Sequence, residues 1–184
     1  MTNSRFLSNW GPLILLALGA LWIPLSATAP AELAEAQSAP AAGFIAPDFA
    51  LATLEGDQVQ LSDLRGQAVL VNLWASWCGP CRAEMPAMQR LYNRYQEQGF
   101  EILAVNATNQ DNRQSAEAFA REHGLSFSIL LDVDGAVSAQ YHLRALPSSF
   151  FIGPDGVIQD VVVGGPMAEA FLAIRVEQLL EGRP

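Results

Sequence analysis

The chain contains no lysine: all 10 of its basic residues are arginines, against 19 aspartates and glutamates, giving a formal net charge of −9 at pH 7. Without lysine there is no Schiff-base nucleophile and no P-loop of the usual phosphate-binding form. Without a basic cluster there is no footprint for nucleic acid, so no nucleic-acid partner is expected, and the acidity reads as a solubility feature. Cysteine and histidine are equally scarce, with 2 of each in 184 residues. A structural zinc site normally takes four ligands. His123 and His142 stand at no ligand spacing to each other or to the cysteines. Arg82 follows Cys81 where a c-type haem site would have histidine, so haem is not implied either. No internal repeat is visible.

Charge is also missing from residues 7–31, which contain Leu13-Ile14-Leu15-Leu16-Ala17-Leu18 and Leu21-Trp22-Ile23. Such a segment suits either the apolar region of a signal peptide or one membrane-spanning helix. Trp10 and Trp22 fit interfacial depths, while Gly11, Pro12 and Pro24 bound or bend the helix. Ala27-Thr28-Ala29 and Ala34-Glu35-Ala36 both have an A-x-A form, and Pro30 makes the first a poor cleavage site. A retained single-pass anchor over residues 1–29 is the preferred reading. A cleaved signal and a secreted or periplasmic product are the alternative. Arg5 before the apolar run, and Glu32 and Glu35 after it, place the remainder on the extracytoplasmic side. Residues 30–43 read as a linker and residues 44–184 as one domain.

Both cysteines lie in Trp77-Cys78-Gly79-Pro80-Cys81. Before them runs Ala68-Val69-Leu70-Val71-Asn72-Leu73-Trp74-Ala75, the composition of a strand buried on both faces. After them Met85, Met88, Leu91, Tyr92 and Tyr95 recur at helical spacing. Residues three apart on a helix share a face, and their Cα separation falls within the roughly 4.4–6.8 Å a disulfide tolerates. Cys78 would open the helix, where unpaired amides and the positive end of the macrodipole favour a thiolate. That makes Cys78 the nucleophile and Cys81 its resolving partner. A static bridge and half of a zinc site are the alternatives, although closing so short a loop restrains the unfolded chain little. Met85 and Met88 are expected in the core.

Elsewhere, residues 44–54 and the alternation through Val59 and Leu61 flank the turn Glu55-Gly56-Asp57 and predict a hairpin. Ser62 to Gly66 reads as a short helical turn. The active-site helix spans 79–98, kinked at Pro86 and ended by Gly99. Strands at 100–107 and 127–131 are separated by a helix capped by Asp111 and running to His123. Asp132-Val133-Asp134-Gly135 lacks the later ligands of an EF-hand and reads as a turn and cap. Residues 148–152 and 157–163 form a second hairpin around Gly153-Pro154-Asp155-Gly156. A last helix reaches about Glu181, with Phe171, Ile174 and Leu179 among its buried positions. This order gives an α/β fold with parallel pairing and right-handed crossovers.

The block from Val71 through Trp77-Cys78-Gly79-Pro80-Cys81 to Glu84-Met85-Pro86 resembles the active site of the TlpA/ResA-like branch of thioredoxin-fold proteins, related to AhpC/TSA redoxins. Ala46-Pro47-Asp48-Phe49 and Leu61-Ser62-Asp63-Leu64-Arg65-Gly66 are similar to its upstream blocks. Leu146-Pro147-Ser148-Ser149-Phe150-Phe151-Ile152 is similar to its cis-proline segment. The resemblance runs from about Phe44 to the C-terminus. It implies a thioredoxin fold: a central mixed β-sheet flanked by helices, with an N-terminal β-hairpin extension and a preceding membrane helix. It further implies a membrane-tethered thiol-disulfide oxidoreductase that reduces extracytoplasmic protein disulfides, apocytochrome c among them. A membrane electron donor of thiol-disulfide type would restore it. No cofactor and no metal are implied beyond the redox-active pair Cys78–Cys81.

By the same resemblance Cys78, Cys81 and Glu84 are catalytic, while Trp77, Gly79, Pro80, Leu146 and Pro147 meet the substrate. Glu84, one turn beyond Cys81, would take or deliver a proton; a solvated carboxylate near a helix start is the alternative. Pro147 is cis in the family, and an ordinary trans turn proline is the alternative. Lacking an amide hydrogen, it leaves neighbouring backbone groups to pair with an incoming chain. Trp77 would shield the sulfurs and Trp74 would be core. Two departures stand out: Asn72 replaces thioredoxin's buried aspartate and cannot accept a proton, and Asn109 and Gln110 stand where some relatives carry another acid. A peroxiredoxin, suggested by Ala-Pro-Asp-Phe, would need threonine where Ala75 stands. A copper chaperone would need a C-x-x-x-C with a distal histidine. Gly79-Pro80 resembles the reducing members more than strong oxidants.

Overall fold

The computed structural model describes residues 38–182. Its central element is β3 (Ala68–Trp74), with all 7 residues buried, as an unbroken β-prone run requires. It lies in the middle of a 5-stranded sheet of order β5-β4-β3-β6-β7. β4 (Phe100–Asn106) runs parallel to it, from Ala68 opposite Phe100 to Trp74 opposite Asn106. β5 (Ser128–Leu131) continues the parallel half, whereas β6 (Ser148–Ile152) and β7 (Ile158–Val163) are antiparallel. β1 (Ala50–Ala52) and β2 (Gln58–Gln60) form the expected separate hairpin. The helices are α1 (Gly79–Tyr95), α2 (Arg113–Glu122), α3 (Ala136–Gln140) and α4 (Glu169–Glu181).

Successive side chains of a strand face opposite ways, and two cores result. Leu70, Trp74, Ile102 and Ala104 join Met85, Met88 and Leu91 of α1, Phe119 of α2, and Leu172, Val176 and Leu179 of α4. Val69, Val71, Leu73, Leu103 and Val105 join Phe150, Val137, Tyr141 and, from the N-terminal extension, Phe49 and Leu61. Met85, Met88 and Trp74 are therefore core, as expected. Asp132 holds the turn before α3, accepting from the amides of Val137 (3.1 Å) and Ser138 (2.8 Å).

Three expectations change. On α4, Phe171 (36% exposed) and Ile174 (54%) face outward. The stripe Leu172, Val176 and Leu179 packs instead, because two apolar stripes satisfy helical spacing and the sheet can cover only one. Asn112, not Asp111, caps α2, its Oδ1 accepting from Ser115 N at 2.9 Å. Residues 38–43, read as the end of a linker, are tied to the domain, with Ala39 N donating to Ile45 O and Gly43 N to Ile158 O. The expected membrane segment lies outside the described residues, among which no helix is long and apolar enough to cross a membrane.

Leu172→Ala should therefore lower unfolding stability by about 2–5 kcal/mol in urea titration. Ile174→Ala should cost under about 0.5 kcal/mol.

Candidate active site

Four residues after β3 ends at Trp74, Cys78 caps α1 with extended backbone (φ −75°, ψ 110°). Gly79 and Pro80 follow as its first turn, where proline's missing amide hydrogen costs nothing. The Cys78 Sγ accepts from the Cys81 amide at 3.3 Å, so the sulfur meets the free end of the helix's hydrogen-bond ladder. The two sulfurs are joined as a disulfide with a Cα separation of 5.3 Å. They differ in access: Cys78 is 4% exposed and Cys81 0%. Of the two, Cys78 alone lines the neighbouring cavity.

The approach to the helix is held by the loop after β4. Asp111 accepts from Ser76 N (2.6 Å), Ser76 Oγ (2.8 Å) and Asn106 Nδ2 (2.9 Å). The neighbouring Gln110 carbonyl accepts from Trp77 Nε1 at 2.9 Å. From the other side, Arg82 Nη1 donates to Ser76 O at 3.2 Å while its guanidinium lies 4.7 Å from the Phe119 ring centre. Trp77, fixed at its nitrogen, still leaves 59% of its surface exposed. Partial burial pushes the Asp111 carboxyl up, but hydrogen bonds from Asn106 and Ser76 together hold it below the usual aspartate value. The sequence signal for this clamp is the acid itself, which reads from the sequence as a helix cap.

Beside Cys78 is a cavity of about 350 Å³ whose walls are Trp77, Gly79 and Pro80 on one side and residues 143–146 on the other. Leu146 is thus brought to the sulfur. The Leu146–Pro147 peptide is cis, the form the family resemblance implies. The Pro147 carbonyl is occupied by Gly164 N at 2.7 Å. Among the described residues, the Leu146 amide and carbonyl have no hydrogen-bond partner.

Glu84 is 1% exposed, which overturns the solvated alternative. Its Oε1 accepts from Asn72 Nδ2 at 3.0 Å and its Oε2 from Met167 N at 3.1 Å. Asn72 also donates to Ser149 Oγ at 2.9 Å. Burial raises the Glu84 pKa, and the two hydrogen bonds pull it back only in part. Gly165 lies over this group and Pro147: a Cβ there would stand 2.8 Å from Pro147 Cγ and 2.9 Å from Glu84 Oε2. The residues named from sequence therefore form two connected groups. Cys78, Trp77, Gly79, Pro80 and Leu146 line the cavity, and Pro147 and Glu84 meet beneath Gly165. Gly165 itself was missed, since a Gly-Gly-Pro turn gives no sign of what it packs against.

The AhpC/TSA family profile matches residues 42–161. The chain belongs to that family. Thiol-disulfide oxidoreductase ResA of Geobacillus kaustophilus is 42% identical over 128 residues, covering 70% of this chain and 72% of the relative. Thioredoxin-like protein YneN of Bacillus subtilis is 42% identical over 123 residues, covering 66% and 71%. Among solved structures, a thioredoxin-family thiol:disulfide interchange protein of Chlorobium tepidum superimposes with a TM-score of 0.68. It is 25% identical and covers 80% of this chain and 99% of that one. With the Cys78–Cys81 bridge, these findings make this AhpC/TSA member a thiol-disulfide oxidoreductase of thioredoxin fold.

Asp111→Ala should unfasten Ser76 and cost about 1–2 kcal/mol of stability at neutral pH. Because the folded carboxyl titrates below the ordinary aspartate value, its contribution is complete above that value and disappears as pH falls through the folded one. Denaturant titrations should show wild type and variant converging in acid.

Proposed function

We propose that this enzyme reduces protein disulfides on the extracytoplasmic face of a membrane, tethered by residues 1–29, with Cys78 and Cys81 as its redox centre and no cofactor. The observation that supports this best is the asymmetry of the pair. Cys78 is the sulfur at the helix N-cap and beside the cavity, and Cys81 is enclosed behind it.

In the reduced enzyme the Cys78 thiolate attacks a substrate disulfide. The substrate S–S bond breaks, a Cys78–substrate disulfide forms, and the first substrate sulfur leaves as a thiolate that takes up a proton. Cys81 then loses its proton and attacks Cys78 Sγ, releasing the second substrate sulfur. Two electrons have passed to the substrate, and the Cys78–Cys81 bridge remains until a membrane thiol-disulfide donor reduces it. Glu84 receives the Cys81 proton: it is one helical turn away, and its raised pKa brings it nearer the working range of a general base. The unpaired backbone of Leu146, next to Pro147, receives the substrate chain, and Trp77 covers the reacting sulfurs. Apocytochrome c is the substrate class the ResA-like resemblance supports. The reducing direction rests on Gly79-Pro80.

The midpoint potential of the Cys78/Cys81 couple, equilibrated against a thiol-disulfide buffer, tests the direction. A reversible two-electron transition near the reducing end of the thioredoxin-like range, about −270 mV, is expected; one near −120 mV would make the enzyme a disulfide donor. Cys78→Ser should abolish reductase activity, and Cys81→Ser should accumulate the mixed disulfide, read by mass spectrometry.

Glu84 acts as a base only when ionised, so resolution should accelerate as pH rises through its raised pKa. Glu84→Gln should flatten that profile and slow the step on the order of 10²-fold in stopped flow.

A further inference from the structure

The cavity beside Cys78 has one charged residue in its wall, Arg144. Trp77, Pro80, Leu143 and Leu146 give it apolar surface, and Gln110 is the other polar side chain. Most arginines of the domain are already engaged. Arg90 pairs with Glu169 at 2.8 Å, Arg175 with Asp160, and Arg113 donates to Leu54 O. Arg82 and Arg94 lie over Phe119 and Tyr95. Arg144 is exposed and has no hydrogen bond, ion pair or ring contact among the described residues. Asp111, next in sequence to the cavity-lining Gln110, is taken up by Ser76 and Asn106.

A cation with no partner among the described residues, in the wall of the cavity beside Cys78, stands out in a chain with net charge −9. The field of the whole protein attracts basic segments, whereas the cavity itself offers a counter-ion for an acid. Within a Debye length of about 8 Å at physiological salt the local charge dominates.

We infer that Arg144 selects substrate segments carrying an acidic side chain close to the reacting cysteine, with an apolar side chain seated between Trp77 and Leu146. This rests on the reductase function proposed above and narrows its substrate class. A chain laid along Leu146 advances about 3.3 Å per residue, so an acid within about two residues of its cysteine comes within reach of the Arg144 guanidinium. The chemistry is unchanged: the peptide S–S bond breaks, Cys78 Sγ forms the mixed disulfide, and Cys81 releases the second peptide thiol. Both electrons come from the pre-reduced Cys78/Cys81 pair.

The test uses the full chain, reduced, freed of reductant and held in non-ionic detergent at 0.15 M salt. The probes are three symmetrical peptide disulfides, identical except for glutamate, glutamine or lysine beside the cysteine. Single-turnover rates should fall in the order glutamate, glutamine, lysine, with about fivefold between the first and last, the upper range of an exposed ion pair. Arg144→Glu should reverse the order. A merely damaged protein would lose all three substrates together, and the wild-type order is decisive without the variant. Equal rates, lysine first in the wild type, or an order unchanged by Arg144→Glu would overturn the selection while leaving the reductase function standing. Failure of the wild type to reduce any peptide, or the neutral bis(2-hydroxyethyl) disulfide, would overturn the reductase function and this inference with it.

Discussion

The site depends on one hydrogen bond and on what keeps its two ends in place: the Cys81 amide donating to Cys78 Sγ at the start of α1. A helix terminus stabilises a thiolate only if the sulfur stays within the first turn, since the field of the macrodipole falls off over that distance. β3 supplies the fixed end. It is buried along its whole length and hydrogen-bonded on both sides, so the chain leaves the sheet at Trp74 with no freedom of position. The Asp111 clamp and the Arg82 contact fasten Ser76, and Gln110 fastens Trp77, which completes the short path to Cys78.

The same sheet brings the second half of the site into reach. β6 pairs with β3 on the edge away from β4, with Leu73 opposite Ser148. The residues just before Ser148 are Leu146 and Pro147, so the register carries them to the end of the strand from which the cysteines emerge. The pairing of β6 with β7 places Val163 beside Ser148, and the turn that follows lays Gly165 over Glu84 and Pro147. Glycine there is a matter of space: any Cβ would displace the proline ring or the carboxylate.

What was legible in the sequence were the features carried by neighbours along the chain. The unbroken run of β3, the helical spacing of α1, the hairpin turns and the cysteine pair each announce themselves locally, and together they fix the fold class. The identity of the outward face of α4 was not legible, because Phe171 and Ile174 satisfy the helical period as well as Leu172, Val176 and Leu179 do. Nor was the role of Asp111, since a cap one residue away at Asn112 makes the same local sense. The cavity wall at residues 143–146 meets Trp77 across more than sixty residues of chain, a contact only the sheet register specifies. Local chemistry thus named the bridged cysteine pair, while long-range pairing determined what surrounds it.

The Asn72–Glu84 contact explains how an amide can stand where thioredoxin has an acid. At 3.0 Å, two carboxylates would share one proton and titrate as a coupled pair, one of them forced far upward. With Asn72 as the partner, the amide nitrogen donates to Glu84 and to Ser149: the first bond orients the carboxylate without competing for its proton, and the second holds the amide. Asn72 favours the ionised form of Glu84, and burial favours the neutral one. Burial outweighs the bonds from Met167 N and Asn72 Nδ2, so the pKa of this single carboxyl, on the same helix as the cysteines, is raised. The acid of this chain thus stands on α1 rather than on β3, buried and one helical turn beyond Cys81.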